Sequence, residues 1–346
     1  MKGRRFLSTV LTALVVSVTL GTASVQAASV ERTSGSDRIG TANQLAVKSF
    51  GTAQNVILVN GYGYADAVSA TPLAKQLGAP ILLTENKSAL ESSVLTTIQS
   101  LGASKVYIVG GTGVVSPAIE ASLKSKYTVE RIAGVTDTSR MGTNAEVAKK
   151  VLGLSGQKGA ILVNGQDGYA DALSVASIAA KKGYPVLFGT RTEVAPVVKE
   201  VAKDLTVLGV GGSWALPDAV VKSVNGTKIT DTAEKSKDRF ATNLAVLDYF
   251  KDDLDFTNIY LAAGGATNTQ FADALVASAA AATKGSPLVL SGIGANADQI
   301  ANATEYVLAK AGDSGKVIIV GGTGSVSTDI EAKFVNQDSL EVISIE

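Results

Sequence analysis

The chain contains neither cysteine nor histidine. Without cysteine there is no thiol nucleophile and no disulfide, so stability has to come from packed cores. Without histidine there is no His-dependent triad and no ordinary zinc hydrolase site. Carboxylate pairs and Ser-Lys chemistry are the hydrolytic routes that remain. An excess of positive charge is missing as well, since 31 Lys and Arg face 31 Asp and Glu. Proteins that hold a dense phosphate backbone usually carry net basicity, so nucleic acid is not an expected partner. No motif points to a cofactor or a metal, and none is expected. Beyond residue 27 no apolar run is long enough to span a bilayer. There is also no Pro/Ser-rich linker and no low-complexity tract.

The first 27 residues read as a secretory signal. Lys2, Arg4 and Arg5 form a positive start, Phe6 to Leu20 is largely apolar, and Val25-Gln26-Ala27 offers a small-residue cleavage site before Ala28. An uncleaved anchor is the alternative, but the apolar run is short for a span. Cleavage removes three positive charges and no acid, so the exported chain is slightly acidic. An anionic ligand would then have to be held by a local basic cluster. The final residues, Glu341 to Glu346, carry no sorting motif, so retention on the cell is expected to be non-covalent.

The remainder is one pattern written three times. Tyr64-Ala65-Asp66 returns as Tyr169-Ala170-Asp171 and Phe271-Ala272-Asp273, with the Asp residues 105 and then 102 positions apart. Gly110-Gly111 returns as Gly211-Gly212 and Gly321-Gly322. Arg-x-x-Thr appears as Arg38/Thr41, Arg140/Thr143 and Arg239/Thr242. Each copy is as long as a small domain, well beyond the period of a solenoid repeat. We divide the chain into a signal over 1–27 and copies over 28–128, 129–228 and 229–346. A single site present three times suits multivalent binding of a repetitive ligand.

Within copy one, the apolar runs Asn55–Val59, Pro80–Thr84, Val106–Val109 and Thr128–Ile132 read as strands. Helical spacing over Tyr64–Gly78, Glu91–Leu101 and Ser116–Lys126 separates them. Continuous apolar strands alternating with helices predict an α/β fold of three tandem open parallel-sheet modules, each covered on both faces. Leu340 to Ile345 is expected to supply the fourth strand of copy three. No separate catalytic domain fits, and connections this tight predict modules packed against one another.

Three motifs carry possible chemistry. The Gly-Gly turns lie between a strand and a helix. They suit an anion cradle but lack the remainder of a G-x-G-x-x-G or P-loop pattern, so glycine-dependent turning is the favoured reading. Asp66, Asp171 and Asp273 fall in or before a first helical turn, where a cap or a local ion pair explains them better than catalysis does. Arginine usage is more selective. Of Arg32, Arg38, Arg131, Arg140, Arg191 and Arg239, only Arg38, Arg140 and Arg239 recur in all copies. A guanidinium fork suits bidentate phosphate or carboxylate binding. The alternative is an internal salt bridge to the Asp of the same module or to the adjacent Asp37 and Asp238. Both readings stand.

In combination, Arg-x-x-Thr, Ile-Leu-Val-Asn-Gly followed by Tyr-Ala-Asp-Ala, and Val-Gly-Gly at domain-length period resemble the cell wall binding repeat 2 family of Gram-positive surface proteins. The resemblance covers the whole chain after the signal. It implies three α/β modules with pseudo-threefold symmetry. It also implies non-covalent anchoring to an anionic cell wall polysaccharide or teichoic-acid-like polymer, at the wall or cell surface, where other surface proteins are possible partners. Arg38, Arg140 and Arg239 become the candidate polymer contacts, with no catalytic residue. Competing readings are a wall-polymer hydrolase of amidase type and a structural surface-layer component. Two departures suggest that the copies are not equivalent: Trp214 stands where copies one and three have glycine, and Ala262-Ala263-Gly264 replaces Val-Asn-Gly.

Overall fold

The computed structural model describes residues 29–167, 170–267 and 270–335. The signal segment and Leu340 to Ile345 therefore lie outside the described residues. In chain order the elements begin with β1 (Ser29–Thr33), α1 (Arg38–Phe50), β2 (Asn55–Asn60), α2 (Tyr64–Leu77) and β3 (Ile81–Thr84). Next come α3 (Ser92–Ser100), β4 (Lys105–Val109), α4 (Pro117–Lys124) and β5 (Thr128–Ile132). Copy two follows with α5 (Arg140–Ser155), β6 (Gly159–Asn164), α6 (Ala170–Lys182), β7 (Val186–Gly189), α7 (Pro196–Ala202), β8 (Thr206–Gly209), α8 (Asp218–Lys222) and β9 (Thr227–Lys228). Copy three has α9 (Ala233–Ser236), α10 (Arg239–Tyr249), β10 (Asn258–Ala263), α11 (Ala272–Lys284), β11 (Leu288–Ser291), α12 (Ala297–Ala311), β12 (Lys316–Val320) and α13 (Thr328–Val335).

The strands form three four-stranded sheets, ordered β3-β2-β4-β5, β7-β6-β8-β9 and β11-β10-β12-β1. Every pairing is parallel. The third sheet holds the main departure from the sequence expectation. The place beside β12 is filled by β1 from the start of the chain, with Ser29 opposite Lys316 and Thr33 opposite Val320. The sequence rationalises this closure. Ser29-Val-Glu-Arg-Thr33 repeats Thr128-Val-Glu-Arg-Ile132, and Lys105-Val-Tyr-Ile-Val109 repeats Lys316-Val-Ile-Ile-Val320. Thr128 accordingly pairs opposite Lys105 just as Ser29 pairs opposite Lys316.

The helices α2, α6 and α11 pack on one another at the centre. Their small residues allow close approach, and Thr71 and Ser278 meet there with hydroxyl oxygens 3.2 Å apart. Two residues after each Asp, Val68, Leu173 and Leu275 are fully buried, each contributing roughly 2 kcal/mol by leaving water. A left-handed glycine, Gly78, Gly183 or Gly285, follows each of these helices and turns the chain toward the next strand. The opening helix of each copy bridges two modules. α1 packs on β3 and on α11, α5 on β7 and on α2, and α10 on β11 and on α6. One continuous apolar core therefore runs through all three modules, in agreement with the expected tight packing.

Candidate functional site

Each module brings two loops together at the carboxyl ends of its strands. In copies one and two an asparagine ends the first strand and ties the loops together. Asn60 donates its Nδ2 to the Val114 carbonyl at 2.8 Å and accepts from the Tyr62 amide at 2.8 Å. Asn164 donates to the Ala215 carbonyl at 2.6 Å and accepts from the Gln166 and Asp167 amides. Copy three has Ala263 at this position. There Gln270 reaches back instead, accepting from the Ala266 and Thr267 amides.

The three Asp residues lie in the first turns of α2, α6 and α11. They are not helix caps: the capping positions of α2 and α11 belong to Gly63 and Phe271. Each carboxylate lies instead against the first glycine of its Gly-Gly turn. Gly110, Gly211 and Gly321 have φ of 121°, 138° and 114°, a region that favours glycine. A methyl group built on them would come within 2.7, 2.9 and 2.4 Å of Oδ2 of Asp66, Asp171 and Asp273. The glycine reading of these turns thus holds, with a second cause: the carboxylate needs the space. Ser325 also donates its hydroxyl to Asp273 at 2.7 Å.

Asp37 and Asp238 cap helices, with Asp37 accepting from the Gly40 amide and Asp238 from the Phe240 and Ala241 amides. Each arginine anchors to backbone in its own module. Arg38 donates to the Gly61 carbonyl at 2.7 Å, Arg140 to Gly165 at 3.2 Å, and Arg239 to Gly264 and Gly265 at 2.9 and 2.7 Å. The charge is then felt by the Asp of the preceding module. Arg140 acts on Asp66, Arg239 on Asp171, and Arg38 on Asp273. The pairing closes the ring, so each junction contains one carboxylate and one guanidinium from different modules.

Burial dominates the carboxylates and pushes Asp66 and Asp171 up to about 6, with the arginine charge opposing it. Asp273 is raised for the same reason, opposed by the Ser325 hydrogen bond and by Arg38. A charge that burial disfavours, kept at three matching places, marks a candidate functional site. At the junction of copies one and two a cleft of about 410 Å³ opens between Tyr62, Tyr64, Asp66, Ser139, Arg140 and Phe271. Tyr64 crosses this junction, donating its hydroxyl to the Gly165 carbonyl at 2.9 Å, while Arg140 donates to the same hydroxyl oxygen at 3.3 Å. Tyr64 also meets Phe271 edge to face at 6.0 Å. Their counterpart Tyr169 lies outside the described residues. Sequence reasoning missed Tyr62, an exposed ring with the Arg38 guanidinium carbon 4.4 Å from its centroid. Its only sequence signal was an aromatic residue two positions before the motif.

Among the described residues, no group of three or more acidic side chains gathers that could hold a metal ion. Nor is any described helix long and apolar enough to cross a membrane.

Comparison with known proteins places these features in context. A family model described as cell wall binding domain 2 matches residues 32–120, 131–221 and 235–331. The N-acetylmuramoyl-L-alanine amidase LytC of Bacillus subtilis is 32% identical over 323 residues, covering 92% of this chain and 60% of LytC. The amidase enhancer of the same organism is 26% identical over 310 residues, covering 89% of this chain and 40% of that protein. Among solved structures, Cwp6 from Clostridium difficile superposes with a TM-score of 0.75 at 24% identity, over 89% of this chain and 48% of its own. Cwp8 from the same organism gives 0.75 at 29% identity, over 88% and 51%. The chain thus spans about half the length of the proteins it matches.

Proposed function

We propose a wall-anchoring role from one premise: the chain belongs to the cell wall binding domain 2 family, which its sequence matches once in each module. In this reading the protein is held non-covalently at the cell wall by an anionic wall polymer, such as a teichoic-acid-like phosphorylated glycan. Arg38, Arg140 and Arg239 contact the polymer, and no bond is made or broken. The observation that carries the reading is the threefold recurrence of one Asp–Arg–Gly constellation at the module junctions. Three weak sites on one long polymer gain avidity by effective concentration when geometry lets them engage together. The guanidinium fork provides affinity for phosphate, while the backbone carbonyls of Gly61, Gly165 and Gly264 hold it in position.

An amidase-type activity is the competing reading, favoured by the name of LytC. That name describes a longer protein, of which this chain covers 60%. Absence of His and Cys disfavours it, since amide hydrolysis then lacks a thiol nucleophile, a His-dependent triad and an ordinary zinc site. Sedimentation with purified walls, before and after acid stripping of teichoic-type polymers, tests the anchoring reading. Binding to intact walls alone is expected. Equal binding to stripped walls would overturn it, and zymography that reveals turnover lost with Asp66→Asn would favour the amidase.

A further inference from the structure

A second kind of contact rests on the same wall-anchoring reading but lies apart from the junction arginines. The chain has a single tryptophan, Trp214, and it is 68% exposed. It stands in the loop after β8, where the other copies carry Gly113 and Gly324. Arg191, in the loop after β7, sets its guanidinium carbon 3.4 Å from the ring centroid. It also donates its Nε–H to the Trp214 carbonyl at 3.4 Å. This stack fixes the indole and covers one of its faces, and the exposure of the ring leaves the opposite face open. Arg32 and Arg131 are ion-paired to Glu331 and Glu120. Arg191, by contrast, has no carboxylate partner among the described residues.

Both loops leave the carboxyl ends of strands, the side on which open α/β sheets take ligands. The Trp214 loop begins at Gly211, against Asp171, and its Gly212 abuts the Ser236 carbonyl at the opening of copy three. The indole therefore stands at the rim of the Asp171–Arg239 junction. The exposed Ser213 and the half-buried Arg191 make its surroundings polar. A lone flat aromatic in a polar surround lacks the packed apolar rim of a protein-binding hot spot. It suits a pyranose instead, whose weakly positive axial C–H groups settle on the negative face of the ring while the hydroxyls stay in water.

We propose that Trp214 and Arg191 form a saccharide subsite. One pyranose unit of the wall polymer stacks on the open face of Trp214, and Arg191, held against the opposite face, meets an anionic substituent that reaches past the edge of the ring. This subsite belongs to copy two alone, so the three modules are not interchangeable along the polymer.

With one tryptophan, emission excited beyond the tyrosine absorption band reports this position and no other. The probes are soluble polymer released from Gram-positive walls, the same polymer dephosphorylated with hydrofluoric acid, and inorganic polyphosphate. The intact polymer is expected to shift the emission saturably. The dephosphorylated glycan should reach the same endpoint at higher concentration, and polyphosphate should leave the emission unchanged. Trp214→Ala should weaken wall sedimentation roughly tenfold, and Trp214→Phe should restore most of it, both at an unaltered melting temperature. Three results would overturn the subsite: polyphosphate reproducing the shift, polymer sedimenting with protein while the emission stays put, or Trp214→Ala binding like the parent. Emission that changes with protein concentration alone would assign the indole to a second copy and also overturn it. Failure of the parent protein to sediment with walls at all would instead defeat the anchoring reading, and this subsite with it.

Discussion

Two of the junctions between modules lie along the continuous chain, and the third is closed by β1 meeting β12. They are built differently. In copies two and three, the residue after Arg-x-x-Thr is an asparagine that pins the opening helix to a strand of its own module, and Asn144 also donates across the junction to the Ser69 hydroxyl at 2.9 Å. Asn144 donates to the Val186 carbonyl and accepts from the Phe188 amide, and Asn243 does the same with Leu288 and Leu290. Copy one has Ala42 there, packed among Leu45, Pro80, Ile81 and residues of α11. The opening helix at the closing junction thus has apolar packing, part of it against copy three, in place of that pin, and the junction adds β1, whose Arg32 donates to Glu331 and to the Gly321 carbonyl. One fold can evidently close its ring either by chain connection or by a returning strand. The shared Asp–Arg placement survives at all three junctions.

The sharpest way to break this comparison is to remove β1. Deleting residues 1–33 should cost at least ~3 kcal/mol of stability, because it uncovers the edge of β12 and strands Glu331. Chemical denaturation should show the loss, and amide exchange should speed up first in β12. A full-stability variant would mean that β1 is dispensable to the closure.

The asparagines offer a smaller and more selective contrast. Asn144→Ala should cost about 2 kcal/mol, since a buried carbonyl and amide lose their partners. Asn43→Ala should cost well under ~1 kcal/mol, because the buried Asn43 Oδ1 has no hydrogen-bond partner. Thermal melts of the two variants give the comparison directly.

Smaller again is the effect of pH on the carboxylates. Asp66 and Asp171 are raised from 3.8 to about 6 by burial. The folded state therefore binds their protons more tightly than the unfolded chain does. Their contribution is most favourable below pH 3.8, declines as pH rises toward about 6, and is a full penalty above that. Asp66→Asn and Asp171→Asn should each raise stability at pH 7 by up to ~2 kcal/mol, a gain that vanishes near pH 4. An asparagine variant that is less stable at pH 7 would show that the arginine of the next module outweighs burial.

Much of this architecture was legible in the sequence, because each module buries short β-branched runs between helices of clear period. β5 was placed at Thr128–Ile132 with the bounds observed. The closing strand was not legible, although Ser29-Val-Glu-Arg-Thr33 matches that same segment. Its partner lies at the other end of the chain, and local pattern carries no record of such distant pairing. The helices α1, α5 and α10 were read only through their Arg-x-x-Thr marker. The three arginines stand at matching places in the fold, and the charge of each acts on the Asp of the preceding module, a partner that the sequence reading did not name. Tandem copies offer every arginine the Asp of its own module and that of its neighbour in identical sequence contexts. Only packing of one module's opening helix on its predecessor's central helix selects the neighbour.

The most direct measurement is wall affinity of the triple variant Arg38→Lys, Arg140→Lys and Arg239→Lys beside the parent, with melting temperatures recorded on both. Lysine keeps the charge and loses the fork. If the junction arginines hold an anionic polymer, affinity at about 0.15 M salt should fall by roughly tenfold or more while the melting temperature stays close to the parent's, and parental binding should weaken as salt rises. Unchanged wall affinity in the triple variant, or an early melt that accounts for any loss, would make these arginines internal supports of the ring and contradict their role in anchoring.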